Sequence, residues 1–245
     1  SLSDMSSEEV SEFKISLSLL PEERRREILE KMVQLSEDNS QIDFSAAFIS
    51  ALDDVDDVVR EKSVIGLWES EDRSVIHSLI SILTEDLSHR VRAAAAVSLR
   101  SFAFVAQSGR LLPRDLSRIC EAFLRVIDLP EQDMEVKKRA IESLACFESS
   151  EIHRVVLEAY RSDVLELKLS AIYAMGRSCD TKWLSTIFHE LDSEVPSLRY
   201  EAATACGQIE DQSAVPFLIR LIKDPDQQVQ VAAVRAIGKL GGDLS

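Results

Sequence analysis

Glycine, proline and aromatic residues are scarce in this chain of 245 residues. It has seven glycines, six prolines and 6% aromatic residues, whereas 45% of its residues are hydrophobic and 29% are charged. Few helix breakers beside many hydrophobic residues favour a helix-rich globular protein and exclude a chain that is disordered away from its ends. Sustained alternation of apolar and polar residues is also missing, so we predict no strands.

Positive charge is in short supply. Lysine and arginine total 28 against 43 aspartates and glutamates, which gives a formal net charge of −15. A chain with this charge repels polyanions at long range. We therefore predict that neither nucleic acid nor an anionic membrane is a partner.

Cysteines are few and widely separated, and no pair has the spacing of a CxxC motif. We interpret all four as reduced thiols. No apolar run approaches the roughly 20 residues of a membrane helix, and the N-terminal sequence SLSDMSSEEV lacks the basic start and apolar core of a signal peptide. These observations predict a cytoplasmic protein.

Catalytic and metal-binding motifs are missing from the sequence. It contains no GxSxG, Walker loop, HExxH or glycine-rich dinucleotide turn, and its four histidines lie far apart. The acidic run Asp53 to Asp57 lacks the glycine and terminal glutamate of a calcium-binding loop. We predict a protein that is not an enzyme, with no catalytic residues, no metal and no cofactor.

What the sequence does contain is an internal repeat. The segments LKLSAIYAMG from Leu167, LRYEAATACG from Leu198 and VQVAAVRAIG from Val229 begin 31 residues apart. Apolar and small residues recur at intervals of three and four in each segment, which is typical of the buried stripe of an α-helix. A repeat of this length predicts a stack of similar helical units.

The pattern extends towards the N-terminus when a basic residue such as Arg199 is taken as a phase marker. The marker positions are Arg60, Arg92, Lys137, Lys168, Arg199 and Gln230, at spacings of 32, 45, 31, 31 and 31. The long spacing predicts an insert around residues 101–114. Each marker helix is preceded by a second amphipathic helix, so the sequence predicts six helical pairs: about 43–69, 72–106, 113–147, 151–178, 180–209 and 213–240.

The domain organisation follows from the same pattern. Residues 1–41, with helices predicted from Ser7 to Leu20 and from Pro21 to Leu35, form an N-terminal helical cap. Residues 42–245 form a single continuous array. We predict an all-α fold, a right-handed α-solenoid of about six hairpins.

The repeats resemble HEAT repeats. The shared pattern is an acidic residue, then V/L-R/K-x-x-A-x-x-A/S-L/M-G in a helical hairpin, and the short period is similar to that of the phycobilisome lyase type. This resemblance implies a solenoid and carries little about function. His189-Glu190 is similar to the dyads with which HEAT-repeat deoxyhypusine hydroxylases hold iron. That family needs several dyads and this sequence has one.

The basic marker row is predicted to be structural. Acidic residues such as Asp54, Asp86, Glu131 and Asp224 stand six positions before a marker. In HEAT-like repeats such acids pair with the markers within and between units, and half-buried charges generally need partners.

A candidate binding ridge lies beside the apolar seam of the marker helices, at positions two, five and nine after each marker. Its five basic and three acidic residues make it locally +2 on a chain of −15. We predict that this ridge lines the concave side of the solenoid and contacts a protein partner, an acidic or mixed-charge segment. The predicted contact residues are Arg139, Glu142, Tyr173, Arg177, Glu201, Gln208, Arg235 and Lys239.

These observations predict a protein-binding scaffold or adaptor. Self-association through the C-terminal repeat is a further expectation, because Val231, Val234 and Ile237 leave an apolar face on the last predicted helix. Two alternatives stay open. One is a bilin lyase-like role, suggested by the repeat type; the other is nucleic-acid binding or DNA repair, as in HEAT-like glycosylases, which the net charge disfavours.

Overall fold

The structure is a computed structural model that describes residues 5–39, 42–68, 70, 72–107 and 112–241, without the side chains of 104–107. In these ranges the chain is all-α, and no strand occurs. No helix of the described ranges is both long enough and apolar enough to cross a membrane. The predicted fold class is confirmed as an all-helical array, whereas the handedness of the superhelix stays a prediction.

The chain divides into two compact units, Ser1–Ala140 and Ile141–Ser245. The division falls inside the helix Met134–Ser143, whereas the sequence predicted a cap followed by one continuous array. That domain organisation stays a prediction.

The first unit holds the two predicted N-terminal helices and the early hairpins. Its second helices lie side by side, α2 against α4 and α4 against α6. Its elements are α1 (Ser7–Ser18), α2 (Glu22–Asp38), α3 (Ser45–Ser50), α4 (Asp57–Gly66), α5 (Val75–Glu85), α6 (His89–Gln107), α7 (Pro113–Asp128) and α8 (Met134–Ser143), whose last three residues belong to the second unit.

The predicted insert is partly described. Helix α6 runs 19 residues to Gln107, which is longer than the other marker helices, and α7 begins at Pro113. Proline suits this first helical position because the amide it lacks would have no intrahelical acceptor there. Residues 108–111 of the predicted insert, like Glu69 of the ridge, lie outside the described residues.

The second unit carries the three clearest repeats. Its marker helices α10, α12 and α14 pack in that order, and each hairpin brings its first helix against its second. The α-helices are α9 (Ser150–Tyr160), α10 (Leu165–Arg177), α11 (Leu184–Glu190), α12 (Pro196–Ile209), α13 (Val215–Leu221) and α14 (Gln227–Leu240), with short 3-10 helices at Leu144–Cys146, Thr181–Trp183 and Gln212–Ala214.

Small residues set the close spacing of these helices. A Cβ atom added to Gly176 would stand 2.7 Å from the Cα of Ala205, and one added to Gly207 would stand 2.8 Å from the Cα of Ala236. The backbones therefore approach too closely for any side chain at either glycine. The repeated Ala-Gly segment is the seam on which one repeat packs against the next.

The marker residues link one hairpin to the following one. Arg199 donates from Nε and Nη2 to the Asp224 carboxylate at 2.7 and 2.8 Å, and its Nη1 donates to the carbonyl of Ser193, six positions earlier. Arg60 makes the same bidentate pair with Asp86, at 2.8 Å for both contacts. The predicted structural ladder is confirmed at these two steps.

At other steps of the ladder, residues other than an arginine-aspartate pair make the contact. Arg92 donates to the side-chain oxygen of Gln132 at 3.0 Å, Lys168 pairs with Glu190 at 2.9 Å, and Gln230 donates to the carbonyl of Asp224. Asp86 and Asp224, each six positions before a marker, thus contribute their backbone carbonyls to that marker and their carboxylates to the marker of the preceding repeat. The carboxylate of Asp54 instead pairs with Arg25.

Two glycine variants test the seam. Gly207→Ala should lower the free energy of unfolding by about 1–3 kcal/mol, because its methyl group meets the backbone of Ala236. Gly238→Ala, on the next marker helix α14, should raise it by about 0.5–1 kcal/mol, because nothing lies within 4 Å of the added atom and alanine favours a helix. Urea unfolding of both variants checks this, and equal effects would contradict the assigned register.

The variant Asp224→Asn tests the ladder. It leaves Arg199, which is nearly buried, without its counter-ion and should cost about 3 kcal/mol at neutral pH. The Arg199 guanidinium lowers the pKa of Asp224 below its ordinary value of 3.8. This stabilisation is therefore complete above that value and disappears as the pH falls through the lower, folded-state pKa.

The matched control is Asp192→Asn, which removes an exposed ion pair with Arg220 and should change the stability little. Thermal melting between pH 7 and pH 3 measures both variants. A gap between wild type and Asp224→Asn that does not narrow in acid would contradict the assigned pairing.

Candidate protein-binding surface

The ridge of unit 2, defined here by nine positions on α10, α12 and α14, forms three rows of equivalent residues. Each of these residues stands 31 positions from its counterpart in the sequence, and α10, α12 and α14 pack side by side, so residues at equivalent positions lie on neighbouring marker helices. The rows are Ser170, Glu201 and Ala232; Tyr173, Thr204 and Arg235; and Arg177, Gln208 and Lys239.

Exposure differs between the rows. Ser170 and Ala232 are buried and Glu201 is only partly exposed, whereas Arg177, Arg235 and Lys239 are all exposed. The helical spacing predicted that all three rows belong to one exposed surface. The structure turns the first row towards the helix seam. In the other two rows Arg177, Arg235 and Lys239 are exposed, and Tyr173, Thr204 and Gln208 are partly exposed.

Glu142, Ser170 and Glu201 come together from the marker helices α8, α10 and α12. The Ser170 hydroxyl donates to Glu142 Oε1 at 3.1 Å, and Glu142 is only 8% exposed. Burial, reinforced by the negative charge of Glu142, raises the pKa of Glu201 to about 7. The predicted contact residue Glu142 is too buried to offer a partner much surface, and its contact with a partner stays a prediction.

Glu201 and Gln208 each hold a buried oxygen without a donor. Both Oε1 atoms are shielded from solvent, and no donor of the described protein hydrogen-bonds to them. The Gln208 atom packs against the backbone of Gly176, where an added Cβ would stand 2.6 Å from it. Buried acceptors without a partner are rare in folded proteins and destabilise them.

Arg139 takes a different role from the other predicted residues. It lies on α8 within unit 1, where its Nη2 pairs with Glu135 Oε1 at 2.7 Å. Glu135 also pairs with Lys138 at 2.9 Å. The structure therefore gives Arg139 a local ion pair on its own helix, and its contact with a partner stays a prediction.

The histidine-glutamate pair at residues 189 and 190 is part of the ladder. Glu190 is buried, and its Oε1 accepts from Tyr160 at 2.6 Å, from Lys168 at 2.9 Å and from His189 Nδ1 at 3.1 Å. This carboxylate replaces the aspartate of a standard ladder step. Across the part of the chain that the structure describes, no group of three or more histidine, cysteine or acidic side chains could hold a metal ion.

The sequence did contain a signal for the special character of Glu201. The equivalent residues in the neighbouring repeats are Ser170 and Ala232, both small enough for a buried position. A glutamate among small residues on a tight seam indicates an ionisable group held in an apolar setting. The periodicity alone could not show this burial, because it gives the face of a helix and not the distance to its neighbour.

Comparison with known proteins agrees with a repeat fold. Residues 184–245 match the family model for HEAT repeats. A stretch of 96 residues is 31% identical to deoxyhypusine hydroxylase of Schizosaccharomyces pombe, covering 37% of this chain and 30% of that enzyme. HEAT-like repeats are thus present in the chain, which spans under a third of the curated relative it matches. The lyase type of repeat stays a prediction.

Solved structures with a similar fold share little sequence. Human deoxyhypusine hydroxylase in complex with glycerol is 15% identical, covers 96% of this chain and 97% of its own, and has a TM-score of 0.43. An engineered protein is 20% identical over 82% of this chain and 98% of its own, with a TM-score of 0.45. At these values the structural likenesses carry no argument about function.

The prediction that the chain is not an enzyme, which was based on the lack of catalytic motifs, is wrong. The curated relative matched over 96 residues is an enzyme. A repeat surface without a familiar catalytic motif is consequently no evidence against catalysis.

The buried carboxyl of Glu201 gives a stability prediction with a defined pH dependence. Its pKa in the folded protein is raised from 4.5 to about 7, so folding is penalised progressively as the pH rises between these values. The variant Glu201→Gln should match wild type near pH 4.5 and be more stable by up to about 2 kcal/mol at pH 8.

Chemical unfolding at the two pH values measures this difference. Glu194→Gln, which changes an exposed glutamate in the same unit, is the control and should leave stability unchanged. Loss of stability in Glu201→Gln at pH 8 would show that the carboxylate has a stabilising partner and would contradict the assignment.

Proposed function

We propose that the chain is an adaptor that binds a segment of another protein along the ridge of unit 2. The observation that carries this proposal is the exposure of Arg177, Arg235 and Lys239 together on α10 and α14, in a chain whose formal charge is −15. Exposed charge of the minority sign gathered on one face attracts and orients an oppositely charged partner.

The partner in this proposal is a mixed-charge segment with acidic residues opposite the basic rows. Tyr173, which is partly exposed, lies in the second row together with Thr204 and Arg235. Tyrosine and arginine are the side chains that most often dominate binding energy at protein interfaces. Arg139 of unit 1 is a further proposed contact.

Two further parts of the proposal rest on single observations. Cytoplasmic residence is supported by the four cysteines, all of which lie in the described ranges and none of which forms a disulfide bond there. Self-association through the C-terminal repeat is supported by the exposed side chains of Val231 and Val234 on α14. No specific observation favours the bilin lyase-like or nucleic-acid-binding alternatives.

The likeness to deoxyhypusine hydroxylase favours a second candidate function, in which the bound protein segment is a substrate. The hydroxylase activity belongs to that relative, and this chain aligns with 30% of it. The donor set that the structure describes does not fit an iron centre, because the carboxylate of the one histidine-glutamate pair is engaged by Lys168 and Tyr160. No catalytic step follows from these residues.

Charge reversal on the ridge tests the adaptor proposal. The double variant Arg177→Glu/Arg235→Glu should lose its protein partners, because acidic residues of the segment would then be repelled. The measurement is affinity purification from native-host extract with quantitative mass spectrometry, using wild type and variant as baits.

The matched control is Lys182→Glu/Lys223→Glu, which makes the same change in net charge at exposed positions of the same unit outside the ridge. Proteins captured by wild type and by this control, but lost by the ridge variant, support the proposal. Equal capture by all three baits would overturn it.

A further inference from the structure

On the side of the ridge that faces the seam, two hydrogen-bond acceptors lack a donor in the described protein. Glu201 and Gln208 are seven residues apart on α12, about two turns, so they lie on the same side of the helix. The Oε1 atom of each is buried and is hydrogen-bonded to no donor of the described protein. Glu201 nevertheless keeps partial exposure as a residue, whereas Ser170 and Ala232 of the same row are buried.

The surroundings of Glu201 are negative. Glu142, buried behind Ser170, acts on it as a like charge. The marker cations of the two flanking steps are committed elsewhere, Arg199 to Asp224 and Lys168 to Glu190. A cationic group at Glu201 would offset the repulsion between Glu142 and Glu201 and would also donate a hydrogen bond to Glu201. A neutral donor would supply the hydrogen bond but would not offset the repulsion.

The geometry suits a side chain better than a metal ion. Divalent cations such as calcium take six or more oxygen ligands, and no group of three or more suitable side chains exists in the described ranges. An ammonium or guanidinium group needs fewer protein acceptors because its remaining donors stay in water. A lysine or arginine side chain therefore suits this site better than a divalent cation does.

We propose that Glu201 receives the ammonium or guanidinium group of a lysine or arginine in the bound segment, with Glu142 strengthening the negative potential there. This inference rests on the adaptor function proposed above. It narrows the partner to a segment in which one basic residue has acidic neighbours that face Arg177, Arg235 and Lys239.

The two charged regions select against other segments. An all-acidic segment would place a carboxylate against Glu201, and an all-basic segment would place cations against the second and third rows. Like charges brought together at an interface reduce affinity and thereby give specificity. The ridge therefore discriminates by charge order along the segment and not by net charge alone.

Random 12-residue peptides displayed on phage test this inference even though the partner is unidentified. The immobilised proteins are wild type, Glu201→Gln, the control Glu194→Gln, and Arg177→Glu/Arg235→Glu. Wild type and the control should enrich peptides with a basic residue at a fixed distance from acidic ones. Glu201→Gln should keep the acidic preference and lose the basic one, and it should fold at least as stably as wild type.

Calorimetry on one selected synthetic peptide then measures the contact itself. Replacing its basic residue by norleucine should weaken binding to wild type about tenfold and leave binding to Glu201→Gln unchanged. The same loss on both proteins, or peptides from wild type without a preferred basic residue, would overturn the inference while leaving the adaptor function intact.

The adaptor function fails in a different way. If no peptide is enriched on wild type, or if enriched peptides bind Arg177→Glu/Arg235→Glu as well as wild type, then the ridge is not the binding surface. Both the proposed function and the inference that rests on it would then be overturned.

Discussion

The bidentate pair between an arginine of one hairpin and an aspartate of the next is the interaction on which the rest of the structure depends. Arg199 and Asp224 form it at 2.7 and 2.8 Å, nearly buried, and Asp224 also accepts from the amide of Asp226 in its own turn. One aspartate thereby fixes both a local turn and its position relative to the preceding repeat. Because the marker cations are paired within the ladder, the exposed basic residues of the ridge are a different set of residues.

Much of this arrangement could be predicted from the sequence, because periodicity encodes which residues meet. The recurrence of Leu198, Ala202 and Ala205 at helical spacing placed the seam, and the basic marker with its upstream acid identified the ladder partners. The direction of each pair could not be obtained in this way. Asp86 and Asp224 each bind the marker six positions later through the carbonyl and the previous marker through the carboxylate, which depends on how far each hairpin is shifted along its neighbour.

The candidate site was predicted less completely for a related reason. A helical wheel places Glu142 and Glu201 on one face with Arg177 and Lys239, yet the close approach permitted by Gly176 and Gly207 buries the row nearest the seam. A glycine buries the neighbouring row only where the backbone of the next marker helix comes close to it. The distance between two helices cannot be obtained from one sequence. The absence of catalytic motifs was likewise a poor guide, since the relative matched over 96 residues is an enzyme.

Burial of the Glu201 carboxyl lowers the stability of the folded protein at neutral pH, and no feature of the repeat packing requires it. The equivalent positions in neighbouring repeats hold serine and alanine, so the seam itself has no need of a carboxylate. An acid whose pKa is raised to about 7 beside a second acid opposes folding at neutral pH, and such groups concentrate at functional sites. Structural ladder residues behave in the opposite way, as Asp224 shows with a lowered pKa. The sign of the shift thus separates Asp224, which is stabilised by its ion pair with Arg199, from Glu201, whose carboxylate has no stabilising partner within the described protein.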